Sequence, residues 1–173
     1  DTVEVCDALS LLERLRAGEP DDVGERVLVI GGGSVASDVA LSVQRAGARA
    51  VTVVCLEGRS EMPALASEIA EMTDRGIEIE CGWGPKAVPS PGTIELQRCT
   101  RVSGAGSRFA PLFDDSDTMM RSFDQLVLAI GQTLDSELSA HLGEAIGRSG
   151  LVEVDAETLR VRGRTNLFAG GDI

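Results

Sequence analysis

The sequence has no tyrosine and a single histidine, His141. The first absence excludes a dehydrogenase site built on a Tyr/Lys pair, and the second excludes any metal centre that needs several imidazoles. Cys6, Cys55, Cys81 and Cys99 lie 49, 26 and 18 residues apart. These spacings give neither a CxxC redox pair nor a zinc knuckle, so each cysteine is read as a small buried apolar residue and no metal ligands are assigned. Basic residues are scarce, 16 Lys and Arg against 28 Asp and Glu, for a formal charge of −12 and a pI near 4.5. Without clustered cations to neutralise phosphates, a nucleic-acid partner is excluded, as is electrostatic docking on anionic lipid. Long apolar runs are missing too. Ala50–Leu56 and Leu126–Ile130 fall well short of the roughly 18 residues a membrane span needs, so no membrane insertion is expected. No charged-then-apolar leader opens the sequence, which makes the cytoplasm the expected compartment.

What remains is ordinary globular material. A length of 173 residues at 43% hydrophobic and 25% charged suffices for one domain, or one and a fraction, with a buried core. Ala8, Leu11, Leu12 and Leu15 recur at helical spacing, predicting a helix over about Asp7–Ala17, which Gly18-Glu19-Pro20 breaks. Arg26–Ile30 is a buried-strand run, Ser34–Ala46 a helix closed by Gly47, and Ala50–Leu56 a second apolar strand. Leu65–Arg75 reads as a helix stopped by Gly76, and Ile77–Cys81 as a third strand. Strand, helix, strand, helix, strand with short connections predicts an α/β, Rossmann-like βαβαβ parallel sheet in three layers.

The texture changes after Cys81. Gly82–Pro85 and Pro89–Gly92 read as turns, Thr93–Gln97 alternates like an antiparallel strand, and Ser103–Ser122 is polar enough for a solvated hairpin or loop. The whole stretch is expected to add an antiparallel meander. Asp114, Asp115 and Asp117 lack the glycine-kinked loop of a calcium site and are read as solvated. Leu126–Ile130 is another buried strand. A short helix from Ser136 to Leu142, with His141 facing solvent, and short strands near Leu151–Val154 and Asn166–Ala169 complete the chain.

One motif carries chemistry. Gly31-Gly32-Gly33-Ser34-Val35-Ala36 fits G-x-G-x-x-G/A, follows a buried strand and opens a helix. Gly31 permits the sharp turn, Gly33 lets backbone approach a pyrophosphate, and Ala36 lets helix pack on strand. Phosphates would then sit on the free N–H groups at the helix N-terminus. Glu57 follows the second strand, 21 residues beyond Ala36, where a carboxylate accepts hydrogen bonds from ribose hydroxyls and repels a 2′-phosphate. Arg59, two residues on, could instead pair with that phosphate. NAD(H) is favoured over NADP(H) on this reading.

These residues resemble a family. The run Val27 to Asp38, then Glu61-Met62-Pro63-Ala64, Ala129-Ile130-Gly131-Gln132 and Phe168-Ala169-Gly170-Gly171-Asp172 appear in the order found in the pyridine-nucleotide domain of FAD-dependent oxidoreductases similar to the glutamate synthase small subunit. That pattern also resembles the matching part of dihydropyrimidine dehydrogenase, within the pyridine nucleotide-disulfide oxidoreductase group. The resemblance implies a nucleotide domain inserted into an FAD domain. Ala129, Ile130 and Gly131 would lie on the nicotinamide side and mark the crossing back, while Gly171 and Asp172 would touch the flavin's ribityl and phosphate region. It implies hydride transfer between nicotinamide and FAD, with electrons passing to an iron–sulfur or other subunit. Members using NADP resemble one another in an arginine pair where this chain has Leu56-Glu57, and thioredoxin-reductase-like members carry a CxxC that is absent here.

The organisation expected is an N-terminal helix and linker over 1–24, at the edge of the parent FAD domain, a nucleotide domain over 25–131, and a return segment over 132–173. A chain that starts at Asp1 and stops at Gly-Gly-Asp-Ile is expected to be a piece of a longer protein. Its missing FAD domain would be its first partner, and alone it is expected to bind no FAD and to be inactive. No side chain is assigned as acid or base. Two other readings fit the same turn: a non-catalytic NAD(H)-sensing domain, and an S-adenosylmethionine-binding domain.

Overall fold

The computed structural model of the chain describes residues 4–18, 23–103, 109–131, 136–147 and 151–170. They fall into two units, Asp1–Gly131 and Gln132–Ile173.

The first unit is built on β2 (Arg26–Ile30), whose alternate residues are buried on opposite faces. Val27 and Val29 enter one core, Leu28 and Ile30 another. A strand covered on both sides is why Arg26–Ile30 reads as a continuous apolar run rather than an alternating one. Beside β2 lie β3 (Ala50–Cys55) and β8 (Gln125–Leu128), both parallel to it. The edges are β1 (Glu4–Asp7), which pairs with β8, and β4 (Glu78–Cys81), which pairs with β3, giving the order β1-β8-β2-β3-β4.

Three helices bury one face. α1 (Ala8–Ala17) is capped by Asp7, whose carboxylate accepts the Ser10 N–H, and ends at Gly18 in the left-handed conformation. α2 (Ser34–Arg45) sends Ala36, Val39, Ala40 and Val43 into the core, and α3 (Ala66–Asp74) sends Met72. On the other face lies an antiparallel meander of β5 (Trp83–Ser90), β6 (Thr93–Ser103) and β7 (Phe109–Ser122). Ile94, Leu96 and Phe123 close against Leu28, Ile30, Val54 and Leu126. Helices, parallel sheet and meander make the three layers.

Within the segment 1–24, expected as an N-terminal helix and linker, β1 is hydrogen-bonded along β8. Two turn readings are corrected. Of Gly82–Pro85, read as a turn, only Gly82 bends, with φ +75°; Trp83–Pro85 start β5, pairing with Arg98, Gln97 and Leu96. Pro85 is tolerated there because β5 is an edge strand, where a missing N–H leaves no ladder bond unmade. Pro89 falls within β5 too, leaving only Pro91 and Gly92 in the turn to β6. The polar stretch before Phe123 is a hairpin whose second arm, β7, runs 14 residues. Its aspartates are exposed: Asp117 pairs with Arg98, which also stacks over the Trp83 ring at 3.8 Å.

The second unit has its own small core of Leu142, Ala145, Val152 and Val161. It comprises α4 (Ser136–Leu142), a 3-10 turn over Gly143–Ala145, and single bridges pairing Ile146 with Val152, Val154 with Val161 and Arg160 with Phe168. The short strands expected near Leu151–Val154 and Asn166–Ala169 are thus isolated bridges, not ladders. His141 is exposed on α4.

Candidate functional site

The C-terminal ends of β2 and β8, neighbours at the centre of the parallel sheet, flank the chain's glycine turn. In open α/β sheets this is where ligands bind. Gly31 has φ +144°, a conformation that side chains avoid, and an added Cβ would stand 2.2 Å from the Ala129 carbonyl oxygen. Only glycine allows the two strand ends to close this tightly. The Gly31 N–H is used by Val54 and the Ala129 N–H by Ile30, so the turn is locked between β3 and β8.

Gly32 and Gly33 differ from it. A Cβ on Gly32 would meet Cys55 Cβ and Glu57 Oε2, each at 2.9 Å. One on Gly33 would meet nothing within 4 Å, and the Gly33 backbone has φ −93°, open to any residue. Gly33 therefore faces open space and serves as the N-cap of α2 without a side-chain acceptor. Its carbonyl takes the N–H groups of Ala36 and Ser37, whereas no backbone acceptor among the described residues takes those of Gly32 or Gly33. With the first N–H groups of α2, at Ser34 and Val35, they leave an unfilled set of donors at a helix N-terminus. Such a cradle fits a pyrophosphate. Ala36 is buried against the sheet, as a close helix–strand contact requires, and Val35 is half-buried.

The residues expected at the adenosine end are present with different partners. Glu57 is half-buried, its carboxylate beside Gly32. Arg59 is exposed and donates a 2.5 Å hydrogen bond to the Thr73 hydroxyl on α3. At the other side, Ala129 is half-buried, Ile130 is 72% exposed and Gly131 has φ +107°. Gly171 and Asp172, assigned from the resemblance to the flavin, lie outside the described residues, as does Gln132.

Sequence reasoning missed the residue that fastens the turn to its surroundings. Glu68, in the first turn of α3, accepts the Ser34 hydroxyl at 2.8 Å and the Leu65 N–H at 2.8 Å, both on Oε2. Nearby, the Ala64 N–H donates to the Gly32 carbonyl at 3.0 Å. The glycine turn and the start of α2 are therefore stapled at two points, to the Met62-Pro63-Ala64 loop through Ala64 and to α3 through Glu68. A glutamate at the third position of a helix is the sequence signal for the cap, but nothing in the spacing announces its second partner.

Among the described residues no group of three His, Cys, Asp or Glu is arranged to hold a metal ion, and no helix is long and apolar enough to cross a membrane.

The family model described as pyridine nucleotide-disulphide oxidoreductase matches residues 1–173. The chain belongs to this family. Members bind FAD and a pyridine nucleotide. Among curated proteins it is similar to the NADP(+)-dependent formate dehydrogenase subunit beta of Moorella thermoacetica, 34% identical over 89% of this chain and 22% of that one. It is 32% identical to the NAD-dependent dihydropyrimidine dehydrogenase subunit PreT of Escherichia coli over 96% of this chain and 35% of the relative. The glutamate synthase [NADPH] small chain of Halomonas elongata is 27% identical over 87% and 33% of the two chains. The chain thus spans about a fifth to a third of the length of these relatives. Among solved structures, thioredoxin reductase of T. acidophilum superposes with a TM-score of 0.61 at 13% identity, covering 88% of this chain and 44% of that one. At that identity the likeness is one of fold.

Proposed function

We propose that this chain is the NAD(P)H-binding domain of a larger flavoprotein oxidoreductase. The observation that carries the reading is the paired behaviour of two glycines: Gly31 is closed by Ala129, while Gly33 opens a donor-lined cradle at the start of α2. Gly31, Gly32 and Gly33 with Ser34, Val35 and Ala36 would form the pyrophosphate turn, the N–H groups of Gly32, Gly33, Ser34 and Val35 and the helix dipole offsetting its charge. Glu57 would accept the adenosine ribose hydroxyls. Ala129, Ile130 and Gly131 would border the nicotinamide, and Gly171 and Asp172 would meet the flavin of the FAD domain. Hydride exchange between nicotinamide and flavin is the chemistry the two cofactors supply when bound. The protein's part is to position and to shield, so no acid or base is required of it. Onward transfer would go to an electron-accepting subunit, in keeping with relatives that are named as subunits.

NAD(H) is the preferred dinucleotide on this reading. Two contacts support it: the Glu57 carboxylate stands beside the turn, and the Arg59 guanidinium is tied to Thr73. A 2′-phosphate would meet the carboxylate's repulsion and would have to draw Arg59 away. Titrating the protein with NADH and NADPH, for the wild type and Glu57→Ala, tests the proposal. Tighter NADH binding that narrows in the variant is expected. Tighter NADPH binding by the wild type overturns the preference, and binding of neither overturns the dinucleotide reading.

A further inference from the structure

Three sulfur atoms distant in sequence meet at the C-terminal ends of β3 and β4. Cys55 and Cys81 are register partners in the parallel ladder, so both side chains leave the sheet on the same face, and their Sγ atoms are 3.8 Å apart. Met62, from the loop after β3, brings its Sδ to 3.9 Å from Cys81 Sγ. Cys55 and Met62 are 2% and 8% exposed, and Cys81 is half-buried, leaving a way in.

We infer that Cys55, Cys81 and Met62 form a binding site for a soft monovalent metal ion of the Cu(I) class. Metal–sulfur bonds of about 2.3 Å place three ligands in a plane roughly 4 Å apart, and the Cys55–Cys81 and Cys81–Met62 separations both lie near that spacing. The donor set is two thiols and a thioether, the combination that selects Cu(I) over harder cations. Zinc would need four ligands, and no carboxylate or imidazole among the described residues completes even a group of three. Loading exchanges the two thiol protons, released to solvent, for bonds from both thiolates and the thioether to the ion.

The third sulfur separates this assignment from a disulfide switch. A disulfide would use Cys55 and Cys81 and leave the buried thioether of Met62 without a role. The Cys55 thiol also donates to the Glu57 carbonyl at 3.6 Å, so loading would alter the strand end that carries Glu57. A consequent weakening of dinucleotide binding rests on the function proposed above; the metal site itself does not.

Anaerobic competition for Cu(I) against the chromophoric chelator bicinchoninate tests the site, in a Cys6→Ser/Cys99→Ser background that removes the other thiols. The protein should withdraw one equivalent of Cu(I), with an ultraviolet thiolate-to-metal absorption band. Cys81→Ser should abolish this, and Met62→Leu, which conserves volume and keeps the fold, should weaken affinity by roughly ten- to a hundredfold, the scale of losing a supporting interaction at a metal site. Retention of Cu(I) by the chelator overturns the proposal. So does wild-type affinity in Met62→Leu, or pairwise loss of thiols with no metal retained.

Discussion

The Ser34 hydroxyl donates to Glu68 Oε2 at 2.8 Å, joining the first residue of α2 to the first turn of α3. The same oxygen holds the Leu65 N–H, so one carboxylate caps a helix and anchors the glycine turn. Ser34→Ala should cost about 1–2 kcal/mol, as loss of a hydrogen bond to a charged acceptor. Glu68→Ala should cost about 1 kcal/mol more, because it also uncaps α3. Since the two share one bond, a double-mutant cycle by urea denaturation should give a coupling of about 1 kcal/mol. Additive losses would show that the two side chains act separately.

Neighbouring glycines in the turn should respond in opposite ways. Gly31→Ala forces a Cβ against the Ala129 carbonyl in a backbone conformation that alanine avoids. It should destabilise the protein by about 2–4 kcal/mol or prevent folding. Gly33→Ala meets no atom and needs no change of φ, so its stability should stay within about 1 kcal/mol of the wild type. Its methyl group would project over the donor-lined cradle. Thermal melting together with NADH titration separates the two: Gly33→Ala should melt like the wild type and lose affinity. Unchanged affinity would move the pyrophosphate away from this turn.

Why the parallel layer was legible in the sequence, and the meander less so, follows from where each residue finds its partners. β2, α2, β3, α3 and β4 lie within a residue or two of expectation, because each has a local signature: a doubly buried apolar strand, a 3.6-residue stripe, a terminal glycine with positive φ at Gly47 or Gly76. β1 has four residues and no hydrophobic run; its strand character comes from β8, over a hundred residues away. β5 contains two prolines and two glycine-flanked positions that read as turns, and only its edge location and pairing with β6 make it a strand. At the site, Gly31 to Ala36 and Glu57 announce themselves by spacing. Glu68 and the sulfur atoms of Cys55, Cys81 and Met62 do not, since they converge only once β3, β4 and α3 are in place.

Phe123 shows the same dependence in the core. It ends a polar stretch and has no periodic signal, yet it is 1% exposed between Leu28, Ile30, Val54 and Leu126 of the parallel sheet and Ile94 and Leu96 of the meander. Removing its ring leaves a cavity that neither sheet can fill alone. Phe123→Ala should therefore cost about 3–5 kcal/mol in urea denaturation. The lone tryptophan, Trp83, packs at the margin of this cluster, so its fluorescence should report the loosening. A loss below about 1 kcal/mol would mean that the two sheets do not share this core.

Acid should act through the strand ends. Asp124, just before β8, accepts Arg26 Nε at 3.1 Å and Nη2 at 2.6 Å, and also the Arg26 backbone N–H at 2.9 Å. These bonds hold its carboxyl below the usual carboxylate value, hydrogen bonding to Arg26 outweighing desolvation. A carboxylate depressed in the folded state contributes stability that is fully present above its unfolded value, near 3.9, and is lost as pH falls through the folded value. Asp124→Asn keeps the shape and removes the charge, so it should melt below the wild type at pH 7. The difference should hold steady between about pH 5 and 8 and narrow as the pH falls below about 4, where the wild type becomes protonated too. Because the pair is exposed, added salt should also reduce the difference at neutral pH. Melting curves for both proteins across that range decide it. A difference that widens in acid would place the carboxylate's contribution on the opposite side of its titration and contradict the role assigned to Arg26.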